Sequence, residues 1–234
     1  MGMTYLSLKS LSYSNQGDPL QLLQRIQAEI QSKHMLSHPF YQDWMAGTLT
    51  QGQLQNYAVQ YLPFVDSFPR FVSATHSLCD SAEGRALLLE NLMDEEGKGH
   101  STAHPELWRN FCSGIGSSIA ANPVYGEKAV QLRDQFMALS RSSYAEGLSA
   151  LYAYESQIPE IAKAKIKGLA DNYQVSDLKT TEFFRVHEKA DVYHSKACAG
   201  LIGQIKPEDA DAAVAAARKA TTALWDFLTE VHVQ

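Results

Sequence analysis

Cysteine is scarce in this chain: three in 234 residues, Cys79, Cys112 and Cys198, scattered without paired spacing. That excludes a disulfide framework and a zinc ribbon, and it fits a reducing compartment. Basic residues are also few, 20 against 26 acidic ones, for a net charge of −6. No stretch concentrates Lys and Arg, so neither nucleic acid nor an anionic membrane surface is an expected partner. No apolar run approaches the roughly 18 residues a membrane span requires. Residues 1–17 lack the basic-then-apolar order of a secretory signal, and their Ser, Gly and Asn content reads as a loose arm. The expected location is the cytoplasm. Alternating strand patterns, internal repeats and domain linkers are missing as well, so residues 18–234 are expected to form one domain.

Helical periodicity fills that domain. Over residues 20–35, Leu22, Leu23, Ile26, Ile30 and Met35 recur as they do on an amphipathic helix. His38-Pro39 opens a short segment that Gly47 closes. Thr50, with Gln53 three residues on, is a capping-box pattern. It predicts a helix to about residue 78, kinked or broken at Pro63 and Pro69. Further helices are predicted over 81–96 and 103–112, and two within 127–173 that divide near 140–143, Pro159 disturbing the second. One more starts at Ser176-Asp177 and a last one at Lys206-Pro207. Apolar residues at 45% and charged residues at 20% suit an ordinary globular core. The expected fold is all-α, a single compact bundle of seven to eight helices.

Some polar residues fall where such a bundle wants apolar ones. At about 100° per residue, His187, Asp191 and His194 project from one helix face within an arc of roughly 60°. Glu95 continues the apolar stripe of Leu88, Asn91 and Leu92, while Asp94 lies off it. Glu155 continues the stripe of Leu148, Leu151 and Tyr152. His104 follows a glycine-bearing loop, and His100, four residues earlier, is an alternative in its place. Singly, Glu95 or Glu155 reads better as an exposed helix glutamate. Together the six, Glu95, His104, Glu155, His187, Asp191 and His194, supply three carboxylates and three imidazoles from separate helices. Buried carboxylates are costly unless a cation pairs with them. Mixed O and N ligation without thiolate suits iron or manganese, with zinc also compatible. His34, His38, His76 and His232 converge with nothing, and the aromatics Tyr41, Tyr57, Tyr61, Tyr152 and Tyr154 read as core on spacing alone.

Residues 33–44 (KHMLSHPFYQDW), 88–96 (LLENLMDEE), 150–159 (ALYAYESQIP) and 187–194 (HEKADVYH) resemble the family of the chlamydial protein associating with death domains, CADD. The likeness runs from about residue 20 to the end. It implies the haem-oxygenase-like helical fold shared with TenA and PqqC. It also implies a non-haem dinuclear oxygenase that makes p-aminobenzoate for folate synthesis, with Fe/Fe or Fe/Mn, O2 as co-substrate and no haem. By position, the family's ligands fall on the six residues above. The resemblance further implies that Tyr41 is the precursor of the product, that Lys165 donates the amine, and that Tyr57 and Tyr154 flank the centre. The stretch from Glu95 to His104 is longer than in the chlamydial member, which keeps His100 in play. Phe183 stands where that member has tyrosine, so no relay is expected through it. An unidentified reductant is an expected partner, and a homodimer is compatible with the chain. Two other readings differ in class: a TenA- or PqqC-like enzyme acting on a diffusible heterocycle, and a helical interaction module.

Overall fold

The computed structural model describes residues 19–99 and 101–233. The arm over residues 1–17 and His100 lie outside them. The described chain is helical throughout and contains no strand. In order come α1 (Pro19–Ser32), a 3₁₀ turn (Met35–Ser37), α2 (Pro39–Ala46), α3 (Gln51–Gln60), α4 (Leu62–Val65) and α5 (Phe68–Ser77). Then follow α6 (Ala82–Glu95), α7 (His104–Gly114), α8 (Glu127–Ser142), α9 (Tyr144–Glu155), α10 (Ile158–Tyr173) and α11 (Leu178–Ile202). A 3₁₀ turn (Pro207–Asp209) leads into α12 (Ala210–Val233). With α3–α5 and α9–α10 counted as single broken rods and the short α2 set aside, the described residues give the expected 8 helices.

The helix boundaries follow local chemistry. Thr50 and Gln53 form the capping box at the start of α3, an arrangement worth about 1 kcal/mol. The run to Ser77 breaks twice, and Pro63 and Pro69 each sit in the first turn of the helix after a break. There the missing N–H costs nothing. Ser143 caps α9, and Pro159 starts α10 after a bend at Ser156 and Gln157. The first helix stops three residues before the predicted end, because His34 caps the 3₁₀ turn through Leu36 N.

One apolar core runs through the bundle from Leu22 to Val231. At its centre lies α9, buried on every side from Gly147 to Glu155 and packed on α8, α11 and α12. A helix apolar all round can only be interior, so the carboxylate ending it is carried to the middle of the molecule. On α12, buried Ala213, Ala216, Ala217 and Ala220 present small side chains that let α9 approach. Gly168 does the same where α10 meets α2: a Cβ there would lie 2.6 Å from the Trp44 ring. That close crossing sets Lys165 beside Tyr41.

His38 turns out to tie α2 to α12. Its Nδ1 accepts from Phe40 N at 3.0 Å, and its Nε2 meets Thr229 Oγ1 at 3.0 Å. Burial, and then the nearby His232, push its pKa down to about 4. The unfolded ring takes up a proton near its ordinary value while the folded ring resists. Its contribution to stability is therefore present above about pH 6.5 and is lost as pH falls through about 4. His38→Asn, which keeps a capping acceptor without titrating, should flatten the fall in Tm across that window. Equal slopes in the two proteins would show that His38 carries none of it.

Candidate metal centre

Four helices bring the six sequence-predicted groups together. Glu95 is the last residue of α6, His104 the first of α7 and Glu155 the last of α9, while α11 supplies His187, Asp191 and His194. All six are buried. The chain returns from Glu95 to His104 through Gly97, whose φ of 71° favours glycine and whose Cβ would strike Ala103 N at 2.4 Å.

The groups fall into two clusters. Glu95, His104 and His187 form one, and Glu155, Asp191 and His194 the other; within each, the ligand atoms lie within 4.8 Å of one another. In the first, Glu95 Oε2 lies 3.0 Å from His104 Nδ1, and Oε1 lies 3.9 Å from His187 Nε2. In the second, His194 Nδ1 lies 3.5 Å from Asp191 Oδ1. His187 and Asp191 are one helical turn apart, so the clusters adjoin.

These contacts do not satisfy the atoms that make them. His104 Nδ1, His194 Nδ1 and Asp191 Oδ2 are buried without a hydrogen-bond partner. His104 Nδ1 stands close to Glu95 but off the line of a hydrogen bond, as atoms do that face a common point. Orphaned buried polar atoms are rare, and one in the first cluster with two in the second fit a cation held by each. Charge and dipole agree. Both Glu95 and Glu155 end helices, where the dipole is negative and a carboxylate is disfavoured unless a cation compensates. Burial, and then the charge of Asp191, push Glu155 up to about 8. For His194, burial works against protonation, but the carboxylates of Asp191 and Glu155 outweigh it and lift the ring to about 9. Burial opposes ionisation of Glu95 as well, yet His104 and His187 hold it below the carboxylate range. The residues fit two divalent ions, which offset three carboxylate charges.

The clusters differ in chemistry, two imidazoles with one carboxylate against two carboxylates with one imidazole. The oxygen-richer cluster favours the harder ion. Supporting contacts fix the ligands. Asn91 Nδ2 donates to Glu155 Oε1 at 2.6 Å, Cys198 Sγ meets Glu155 Oε2 at 3.4 Å, and His187 Nδ1 meets the Phe183 carbonyl at 2.7 Å. Phe183 packs on His187 with ring centroids 4.1 Å apart, an apolar wall where a tyrosine would place a hydroxyl.

Beside the centre lies a small cavity of about 20 Å³, walled by His187, Phe183, Tyr154, Tyr61, Tyr41 and Lys165, with Met35, Ile158, Ile161 and Ala162 on its apolar side. Lys165 is only 4% exposed, and burial drives its pKa well below the usual lysine range. Its Nζ donates to the Tyr57 hydroxyl and lies 5.3 Å from the centroid of Tyr41 and 4.6 Å from that of Tyr57. Tyr41 and Tyr57 lie close enough for each phenol to act on the ionisation of the other, as do Tyr61 and Tyr154. Burial raises all four above the ordinary tyrosine value; neighbouring phenols add to it at Tyr57 and Tyr61 and the charge of Asp191 adds to it at Tyr154, while Tyr57 offsets part of it at Tyr41 and Tyr61 part of it at Tyr154. A roomier groove of about 570 Å³ between α8 and α12, lined by Lys128, Asp134, Arg218 and Asp226, touches neither cluster.

A family model described as iron-containing redox enzyme matches residues 55–225. The chain belongs to that family. As an iron-containing redox enzyme it is an oxidoreductase, and the CADD-like resemblance holds: a 4-aminobenzoate synthase of Chlamydia muridarum is 41% identical over 213 residues, covering 89% of each chain. A TenA homologue from Pseudomonas syringae pv. tomato has the same fold, with a TM-score of 0.75, 16% identity and coverage of 100% and 99% of the two chains. So does a domain with a haem-oxygenase-like fold from Shewanella denitrificans, at TM-score 0.74, 16% identity and 92% of each chain. Among the described residues no helix is long and apolar enough to cross a membrane.

Sequence reasoning passed over two residues of this site. Tyr61 reads as core on spacing, although it stands one turn after Tyr57, a position that brings its hydroxyl to the same side. Asp94 lies off the buried stripe in sequence, yet its carboxylate reaches His194 Nε2 at 3.2 Å.

Proposed function

We propose that this enzyme makes p-aminobenzoate for folate synthesis from the side chain of its own Tyr41, at a centre of two divalent ions, Fe/Fe or Fe/Mn, with O2 as co-substrate. The name of its chlamydial relative supports the product. The observation that carries the source is the cavity. At about 20 Å³ it admits about one small molecule, and the ring it already presents is that of Tyr41. A TenA-like reaction on a diffusible heterocycle would need space that this cavity does not offer.

When bound, the ions supply the oxidising chemistry that couples to O2. The chain's own residues do the rest. Glu95, His104 and His187 would hold one ion, and Glu155, Asp191 and His194 the other. Phe183 and Ile158 keep bulk water from the cavity. Tyr41 already carries oxygen and carbon para to each other on one ring, the pattern of p-aminobenzoate with nitrogen in place of oxygen. Lys165 is placed to provide that nitrogen, because an amine attacks only when deprotonated and no carboxylate reaches it to hold the proton. The new C–N bond would replace the ring C–O bond, its oxygen leaving as water. Release of the product would break the Cε–Nζ bond of Lys165 and the Cα–Cβ bond of Tyr41, with O2 as the oxidant that carries Cβ to the carboxylate. Surrounding ring faces favour an ammonium by about 0.5–2 kcal/mol, less than burial disfavours it. Tyr57, which accepts from Lys165 and lies beside Tyr41, would pass protons between them. Tyr61 and Tyr154 line the same cavity as Tyr41 and the ligand His187, which offers two phenols for a relay from the ring to the centre.

Anaerobic loading with Fe(II), alone or with Mn(II), followed by O2 and a reductant, should yield p-aminobenzoate with no aromatic added. Product appearing only after a free aromatic is supplied would contradict the reading. Tyr61→Phe should keep both ions and the ring packing, yet slow single-turnover product formation by about tenfold or more, the cost of about 1.4 kcal/mol in the barrier. A rate equal to wild type would remove the Tyr61 hydroxyl from the path.

A further inference from the structure

Two histidines on one face of α11 are gripped from opposite edges. His187 points Nδ1 at the Phe183 carbonyl, 2.7 Å away, so a neutral ring carries its proton there and turns Nε2 toward Glu95. In His194 the edges are exchanged. Nε2 lies 3.2 Å from Oδ2 of Asp94, while Nδ1 lies 3.5 Å from Asp191 Oδ1, buried and without a hydrogen-bond partner.

We propose that Asp94 is a positioning residue of the metal centre, holding the proton of His194 on Nε2 so that the Nδ1 lone pair points inward as a ligand beside Glu155 and Asp191. The inference rests on the dinuclear reading and deepens it. A neutral imidazole has one N–H, and an ionised carboxylate can only accept. A carboxylate at the outer edge therefore selects the Nε2–H tautomer and leaves Nδ1 bare. Asp94 is not itself a ligand: it belongs to neither cluster, and its side chain is 58% exposed on the outer face of α6. Its place follows from the helix. Asp94 and Glu95 are adjacent and so point about 100° apart, one toward the ring of the second cluster and the other into the first. The end of α6 thus serves both ions, one by ligation and one through a hydrogen bond. A carboxylate behind a ligating imidazole also raises its basicity, and removing such a partner typically costs 10–100-fold in affinity.

The test uses the full chain loaded with Zn(II), which is diamagnetic, as wild type, Asp94→Leu and Asp94→Asn. Long-range ¹H–¹⁵N spectra read the tautomer of His194, and chelator competition reads the affinity for each ion. Wild type should bind two ions with His194 protonated on Nε2 and metal-bound through Nδ1. Asp94→Leu, a change at an exposed position, should weaken one of the two ions by about 10–100-fold, leave the other unchanged and lose the single tautomer. Asp94→Asn, whose amide oxygen still accepts, should recover the tautomer and most of the affinity. Ligation of His194 through Nε2, or an Asp94→Leu protein with both affinities and the tautomer intact, would overturn the proposal and reduce the contact to a surface ion pair. Wild type binding fewer than two ions would overturn the dinuclear reading, and this proposal with it.

Discussion

Tyr41→Phe is expected to keep its fold and both ions and to make no p-aminobenzoate. The ring lies buried between Phe40, 5.4 Å away between centroids, and the Lys165 amine. Phenylalanine preserves that packing and gives up only the polar contact of its hydroxyl with Tyr57. What it removes is the phenol, the group that can yield an electron together with a proton and the only oxygen on the ring for nitrogen to replace. Lys165→Ala should likewise retain metal and lose product. Lys165→Met separates chemistry from packing, since it keeps the stem and removes only the amine. Product by chromatography and ions by elemental analysis check all three. Product from Tyr41→Phe at the wild-type level would place the precursor elsewhere.

Loss of a ligand should act on the metal in the same decisive way. Purified wild type is expected to hold about two ions per chain, and His187→Ala and Glu155→Ala about one or fewer, because each opens a coordination position and unbalances a buried charge. His104→Ala should behave like His187→Ala, while His100→Ala keeps its metal; the reverse would move the ligand to His100. Glu155 gives a further test in which the sign inverts. Its folded pKa, raised to about 8 by burial and by Asp191, means that its own contribution to the stability of metal-free protein is fully present only below the ordinary carboxyl value. Metal-free wild type should therefore lose stability as pH rises through about 8. Glu155→Gln should raise the Tm of metal-free protein at pH 8 and lower that of metal-loaded protein, where the carboxylate has its cation. A change of the same sign in both forms would mean that no ion sits against Glu155.

The bundle and the six clustered groups were legible because both rest on periodicity. Apolar residues at helical steps locate α1, α6, α9 and α11, and a carboxylate or imidazole on the inward arc of such a helix is visible as an intrusion. The positions where α3 breaks into α4 and α5 were readable from Pro63 and Pro69, since proline constrains the chain locally. Three things could not be read in this way. The exposed stem of Asp94 says nothing about the ring it touches, because that ring comes from a helix about 100 residues away. Tyr61 looks like any aromatic core residue until it is seen to line the cavity beside His187 and Tyr41. His38 acquires its role from Thr229 and His232, far along the chain. Tyr41 and Lys165 came from family resemblance; spacing gives no hint that α2 and α10 meet at Gly168 to bring them together.

Growing the protein with ring-¹³C₆ tyrosine tests the central claim most directly. Loaded anaerobically with Fe(II) and exposed to O2 and a reductant without added aromatic, it should release p-aminobenzoate carrying all six labels. Release should stop at or below about one equivalent per chain, as expected when the precursor is consumed and not replaced, and the peptide containing Tyr41 should lose mass to match. Unlabelled product formed from an added aromatic, sustained beyond one equivalent with the Tyr41 peptide intact, would contradict it.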